Sequence, residues 1–258
     1  MSLEITSSQC IGCGMCAADC VCGIIAMENG KPVIPEEKKN MCVHCGHCAA
    51  ICPSGALVLD GMVQAFLPPV DKSRLSEAQL TFLLKGRRAV RQYHVGEAVS
   101  HRDLYRVLEY ASYAPTAHNA RQVSYIIING RGKVEKLLKS TAAHMKKHGM
   151  YAMHVTNVEH GRDTLFRGAP CLILIHAPER ILSEADCATA ASYIELALHS
   201  FGLGSCWAGM LVEACAHGLP EGISLPQGSR LYGALMVGYP RVFYNAIPYR
   251  SMPEVCWL

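Results

Sequence analysis

The sequence has no apolar run near the 18 or more residues that a membrane span requires. Its densest short stretch, Leu172–Ile175, reads as a buried strand. A basic n-region followed by an apolar h-region is missing from the N-terminus. Fourteen cysteines without such a signal are expected in a reducing cytoplasm, not in disulfides. Charge is nearly balanced: 24 Lys and Arg against 21 Asp and Glu, a net of +3. That is too weak and too dispersed for a nucleic-acid partner. The small imbalance is local. Residues 1–63 carry Glu4, Asp19, Glu28, Glu36, Glu37 and Asp60 against Lys31, Lys38 and Lys39, for −3, which leaves +6 on the rest. A basic second half suits a phosphorylated cofactor. The 258 residues, half of them hydrophobic, suffice for one large domain or two smaller ones.

What the chain does have is sulfur in two ordered runs. The first is Cys10-x2-Cys13-x2-Cys16-x3-Cys20 and the second is Cys42-x2-Cys45-x2-Cys48-x3-Cys52-Pro53. A thiolate every third residue along a tight loop can grip three corners of an iron–sulfur cube, and the fourth cysteine then ligates the other cube. This predicts one cluster on Cys10, Cys13, Cys16 and Cys52, and another on Cys42, Cys45, Cys48 and Cys20. Structural zinc uses two separated ligand pairs, and the repeated x2 spacing fits it poorly. The first run departs from the second: it ends Cys20-Val21-Cys22, without proline and with an extra thiol. Cys22 either competes with Cys20 as a ligand or is a small buried apolar residue.

With these runs, residues 1–60 resemble a bacterial ferredoxin carrying two [4Fe-4S] clusters. Each run is followed by a short apolar segment, Gly23–Met27 and Gly55–Leu59, which the resemblance makes small strands and helices around the clusters. The expected division is a ferredoxin domain over 1–63, a linker over 64–72 containing Pro68-Pro69, and a second domain over 73–258.

In the second domain, Ser76-x-x-Gln79 predicts a capping box for a helix through Leu84. Ser100 predicts a helix to about Tyr113. Strands are expected at Tyr125–Asn129, Leu172–His176 and Leu231–Val237, and helices at Lys133–Lys147 and Asp186–Phe201. Alternating strands and helices argue a mixed layered fold.

Four patches stand out here: Arg87-Arg88-Ala89-Val90-Arg91, the stretch Ala114–Gln122, Gly202–Gly209, and Val237-Gly238-Tyr239-Pro240 followed by Arg250. In this order they resemble the FMN-dependent nitroreductase family over about residues 75–258. The fold class this implies is α+β, a small ferredoxin-like domain followed by an α/β nitroreductase-like domain. The resemblance also implies a homodimer whose flavin site lies between subunits. Guanidinium groups bind a phosphate dianion in bidentate fashion, and Arg87, Arg88 and Arg250 fit that role. The resemblance places Arg91 beside the pole of the flavin ring that becomes anionic on reduction, where protein charge tunes flavin electronics. Pro115, Thr116, Ala117 and Asn119 would contact the ring or ribityl chain. Backbone from Gly204 to Gly209, including Trp207, Ala208 and Gly209, would approach its reactive edge. Ala89 stands where the family often has serine, so one hydroxyl contact is absent. Taken alone, the arginine run reads rather as a solvated helix end, and the other three patches turn the reading to FMN. Gly202-x-Gly204 follows a helix, so it reads as a C-cap and not as a dinucleotide fingerprint.

His144 and His148 lie four apart, with His154 and His160 beyond, and read either as a metal site or as a solvated face. Met145, Met150, Tyr151, Met153 and Phe166 read as a substrate pocket or as ordinary core. The expected activity passes electrons from two [4Fe-4S] clusters to FMN and on to a small organic acceptor of nitroaromatic, quinone or enone type. No acid–base catalyst is named. An external electron-donor protein is the expected source. NAD(P)H as donor, or an electron-transfer or redox-sensing protein without catalysis, are the alternatives.

Overall fold

The computed structural model of this chain describes residues 2–63, 66–94 and 96–258. Two compact units are present: Met1–Arg74 with Ala117–Ala120, and Leu75–Thr116 with Arg121–Leu258. Of the linker expected over 64–72, Gln64 and Ala65 lie outside the described residues. No helix among the described residues is long and apolar enough to cross a membrane.

The first unit is built twice from the same short plan. Strand β1 (Leu3–Ile5) leads into the first cysteine run, which opens a helical turn α1 (Met15–Ala18). A hairpin follows, β2 (Ala26–Glu28) and β3 (Lys31–Val33). After a 3-10 segment, Glu36–Met41, the second run opens α2 (His47–Ala50), and β4 (Leu57–Leu59) and β5 (Met62–Val63) close a second hairpin. Both hairpins turn on two left-handed residues, Asn29-Gly30 and Asp60-Gly61, whose φ values are all positive. This backbone matches the right-handed twist of the strands, which is why Asn-Gly and Asp-Gly are favoured there. β1 pairs antiparallel with β4, Leu3 opposite Leu59, and so stitches the N-terminus to the second repeat. Ile24, Ile25, Ala56 and Leu57 form the core with Cys16 and Cys52.

The two repeats differ at one informative place. Gly12 has φ +72°, and a Cβ there would lie 2.7 Å from the Gly30 carbonyl oxygen. Its counterpart His44 takes the same left-handed region at φ 52°. The His44 ring reaches the Asp60 carboxylate and ties the second run to its hairpin by a side chain. The first run uses bare backbone contact instead.

In the second unit, α3 (Glu77–Leu80) carries the full capping box between Ser76 and Gln79 and continues as a π-helical turn, Thr81–Gly86. Ser100 caps α4 (His101–Ala111). Strand β6 (Ser124–Asn129), helices α5 (Arg131–Lys147) and α6 (Ala152–Glu159), strand β7 (Cys171–Pro178) and helix α7 (Ser183–Ser200) follow. Then come β8 (Gly204–Trp207), α8 (Gly209–Cys215) and β9 (Ser229–Gly238). The sheet order is β6-β7-β9-β8, and all three pairings are antiparallel. Side chains alternate across β7. Leu172 and Leu174 pack with Val134, Leu138, Val155 and Leu211 from α5, α6 and α8. Ile173 and Ile175 pack with Val107, Ala191 and Ile194 from α4 and α7. The sheet is therefore the middle of three layers.

One expectation needs correction. The stretch Gly204–Gly209, expected as the flavin loop, is strand β8 entering helix α8. The helix expected over Lys133–Lys147 is α5, and α6 follows it. The C-cap expected at Gly202 is present: Gly202 N–H bonds the His199 carbonyl and Leu203 N–H the Leu198 carbonyl, the Schellman pattern. It aims the chain into β8.

β8 lies tight against the arginine run. A Cβ on Gly204 would fall 2.8 Å from the Val90 side chain. Gly204→Ala should therefore destabilise the second unit by about 1–3 kcal/mol. Thermal denaturation checks it, with an expected melting-point drop of roughly 2–4 °C per kcal/mol; an unchanged melt would mean that the chain relaxes freely there.

Candidate functional site

In the first unit the eight run cysteines fall into two rings. Cys10, Cys13, Cys16 and Cys52 line one cavity with Ile11, Met15, Met27 and Leu57. Cys20, Cys42, Cys45 and Cys48 line the other with Val21, Ile24, Ile25 and Leu59. Each ring takes three cysteines from one run and the last from the other. Left-handed Gly14 and Gly46, immediately before α1 and α2, let each loop curl so that its thiols converge. Among the described residues, no three His, Cys, Asp or Glu side chains gather as they would around a single metal ion. The thiols instead surround a space, which fits a polynuclear body.

Burial raises the Cys16 thiol pKa, with Cys52 and Cys13 adding to the rise. It does the same to Cys42, helped by Cys45, Asp60 and Cys20, and pushes Cys48 up to about 11, helped by Cys45, Cys42 and Cys20. Four thiols so placed need an electropositive centre to be ionised together, which an iron–sulfur cube provides. At Cys52, burial is outweighed by hydrogen bonds from Ser54, Ala56 and Leu57, and its pKa falls below the ordinary thiol value. Backbone N–H groups donate to sulfur at His44→Cys42, 3.4 Å, and Ala56→Cys52, 3.3 Å. Lys31 Nζ donates to the Ser7 and Cys10 carbonyls, placing a cation beside the first run. Cys22 lines the same cavity as Cys20.

In the second unit the arginine run leaves the π-helical turn in extended form. Val90 N–H bonds the Ser205 carbonyl at 2.9 Å, and Ala89 bridges Ser205 in parallel. The buried Tyr93 hydroxyl donates back to the Val90 carbonyl at 2.6 Å. A cavity of about 360 Å³ opens here, lined by Gly86, Arg87, Arg88, Val90, Gly202–Ser205 and Pro240, among others. Arg87 Nη1 lies 3.2 Å from Glu195 Oε1, and the Ser205 hydroxyl donates to that same oxygen at 3.1 Å. Arg88 Nη1 donates to the Arg87 carbonyl at 2.6 Å, while the buried Arg88 Nε has no partner. Both arginines line this cavity, and guanidinium groups bind anions through charge-assisted hydrogen bonds.

The other expected contacts are spread. Arg91 is exposed, with Nη1 3.4 Å from the Ala89 carbonyl. Trp207 ends β8 at 40% exposure, Ala208 N–H bonds the Ala234 carbonyl, and Gly209 opens α8. Pro115 precedes Thr116, whose hydroxyl accepts from Arg121 N–H and which lines a separate hollow with Arg121 and Tyr125. Ala117 and Asn119 belong to the first unit, where Asn119 Nδ2 donates to the Val43 carbonyl in the second cysteine run at 2.9 Å. Arg250 is exposed near the C-terminus. Sequence reasoning missed Glu195, and took Ser205 only as part of the backbone stretch Gly204–Gly209. Glu195 was legible: it sits on the buried face of α7 with Ala191, Ile194 and Leu198, and a carboxylate at such a position requires a partner.

Residues 84–239 match the family model described as the nitroreductase family. The chain belongs to the nitroreductase family. Residues 9–57 match a 4Fe-4S dicluster domain, so this oxidoreductase carries an N-terminal ferredoxin domain. A relative from Methanothermobacter thermautotrophicus, provisionally named NADH dehydrogenase/NAD(P)H nitroreductase, is 25% identical over 173 residues, covering 65% of this chain and 80% of the relative. The fold is shared with the nitroreductase from Bacteroides fragilis, crystallised with bound FMN: TM-score 0.55, 23% identity, 68% of this chain and 95% of that one. The FMN-bound nitroreductase from Desulfitobacterium hafniense gives TM-score 0.55 at 21% identity, over 68% and 96% of the two chains.

If each ring holds one cube, Cys52→Ala should cost this nitroreductase the cluster of the first run. Iron should fall from about eight to about four atoms per chain, as read by iron and acid-labile sulfide analysis. Iron staying near eight would place that cluster's fourth ligand elsewhere.

Proposed function

We propose that this nitroreductase-family protein is an FMN-dependent reductase fed by its own ferredoxin domain, with residues 1–63 as the electron-receiving part, 64–72 as the tether and 73–258 as the flavin part. The observation that carries the reading is the pairing, on one chain, of two four-thiol rings with a cavity lined by Arg87 and Arg88. When bound, the clusters supply single electrons and FMN delivers them in pairs to a small organic acceptor of nitroaromatic, quinone or enone type.

The chain's own residues do the rest. Cys10, Cys13, Cys16 and Cys52 hold one cluster, and Cys42, Cys45, Cys48 and Cys20 the other. Arg87 and Arg88 hold the phosphate, with Arg250 closing on it. Arg91 sets the charge beside the ring. Backbone at Trp207, Ala208 and Gly209 shapes the ring's edge, and Pro115 and Thr116 complete its surroundings. A homodimer suits the same reading, because Phe243, Tyr249, Met252 and Trp257 near the C-terminus are exposed apolar groups that a second copy would cover.

Replacing Arg87 and Arg88 together with alanine should release FMN and leave the clusters. Two charge-assisted bonds of about 1.5–3 kcal/mol each predict binding weaker by roughly a hundredfold or more. Retention of FMN at wild-type affinity would remove the phosphate assignment. The relay itself is checked by stopped-flow flavin absorbance after mixing with a reduced one-electron donor protein. Cys10→Ala or Cys45→Ala should abolish fast flavin reduction, while flavin reduced beforehand by dithionite still discharges to the acceptor. Equally fast reduction in these variants would show that electrons bypass the clusters, and would favour NAD(P)H as the donor.

A further inference from the structure

Among the described residues Glu195 is the one carboxylate in the buried interior, at 9% exposure. Its Oε1 meets Arg87 Nη1 and the Ser205 hydroxyl together, at 3.2 and 3.1 Å. Three elements therefore converge on one oxygen: helix α7, the arginine run and strand β8. The same strand is joined to the run by the Val90–Ser205 backbone bond. Stability alone does not account for this acid. An apolar side chain of similar volume would pack against Ala191, Ile194 and Leu198 without losing hydration, and buried ion pairs are often no more stable than such replacements. What the pair adds is direction. A guanidinium has five donors in a fixed plane. Glu195 holds one terminal nitrogen, and Arg87 is itself a lining residue of the cavity. Arg88 in turn leans on the Arg87 carbonyl and lines the same cavity.

We propose that Glu195 is a positioning residue for phosphate recognition: it fixes the Arg87 guanidinium from beneath, so that the cavity binds the phosphorylated flavin in preference to the unphosphorylated one. The proposal rests on the FMN reading above. Simple charge balance predicts the opposite sign. A carboxylate near a dianion repels it, so removing Glu195 would tighten FMN if charge alone mattered.

The test uses the full chain with its clusters, purified anaerobically and stripped of flavin, then titrated with FMN and with riboflavin. In Glu195→Gln, which keeps volume and shape, FMN affinity should fall at least about tenfold, the equivalent of about 1.4 kcal/mol. Riboflavin affinity should stay within about twofold, because riboflavin lacks the phosphate. In an Arg87→Ala background, adding Glu195→Gln should leave the FMN-to-riboflavin ratio unchanged, since the acid acts through Arg87. Arg87→Lys retains the charge beside an intact Glu195 but loses the planar fork, and it should also lower the ratio. A merely structural role would weaken both flavins alike and would overturn the proposal, as would tighter FMN binding in Glu195→Gln. A wild-type protein that takes up neither flavin would instead remove the FMN reading on which the proposal stands.

Discussion

An ionised group loses its hydration when apolar side chains close over it, and it stays ionised there only beside an opposite charge or a set of aimed donors. Both units are arranged around that constraint. In the first, the thiols of Cys16, Cys42 and Cys48 sit where burial raises their pKa, and the ring geometry answers by directing four of them at one space. In the second, Arg87 comes in from solvent beside β8 because Glu195 meets it. Take away either answer and the surrounding apolar packing becomes unfavourable to the group it encloses.

Local backbone chemistry makes those answers reachable. Gly14 and Gly46 start the one-turn helices in the left-handed region, which a side chain would resist. Asn29-Gly30 and Asp60-Gly61 return each repeat on itself within two residues. At the far end of α7, Gly202 satisfies the final carbonyls and delivers the chain to β8 in register with β9, Gly204 opposite Gly238. The capping box at Ser76 starts the helix whose π-helical end releases Arg87. Each device is short, and each sets where the chain turns.

Much of this was legible beforehand. The x2 spacing of the cysteines foretold both groups of four and the exchange of the fourth cysteine between them. Ser76 and Ser100 foretold helix starts, and the aliphatic runs foretold β6, β7 and β9. Other parts were hidden for physical reasons. Gly204-Ser205-Cys206-Trp207 has neither alternation nor branched side chains, so β8 looked like a loop; it is a strand because β9 supplies its partner. The start of α6 follows a left-handed Tyr151, a backbone state that composition does not announce. Pairing direction in the sheet follows from how the chain returns, not from the order of elements. Glu195 and the two hairpin turns were readable signals, since a buried-face acid and an Asn-Gly or Asp-Gly pair each have a mechanism.

Strand β7 has a further consequence. It is paired on both edges, with β6 and β9, and Cys171–Ile175 are wholly buried. Its amides have no local route to solvent, so they exchange with deuterium only when the second unit opens as a whole. Colour from bound cofactors reports on the sites, whereas the isotope exchange of this one strand reports on the scaffold beneath them. The two clocks run separately, and a variant that fades without quickening exchange at Leu172–Leu174 has lost a ligand and kept its fold.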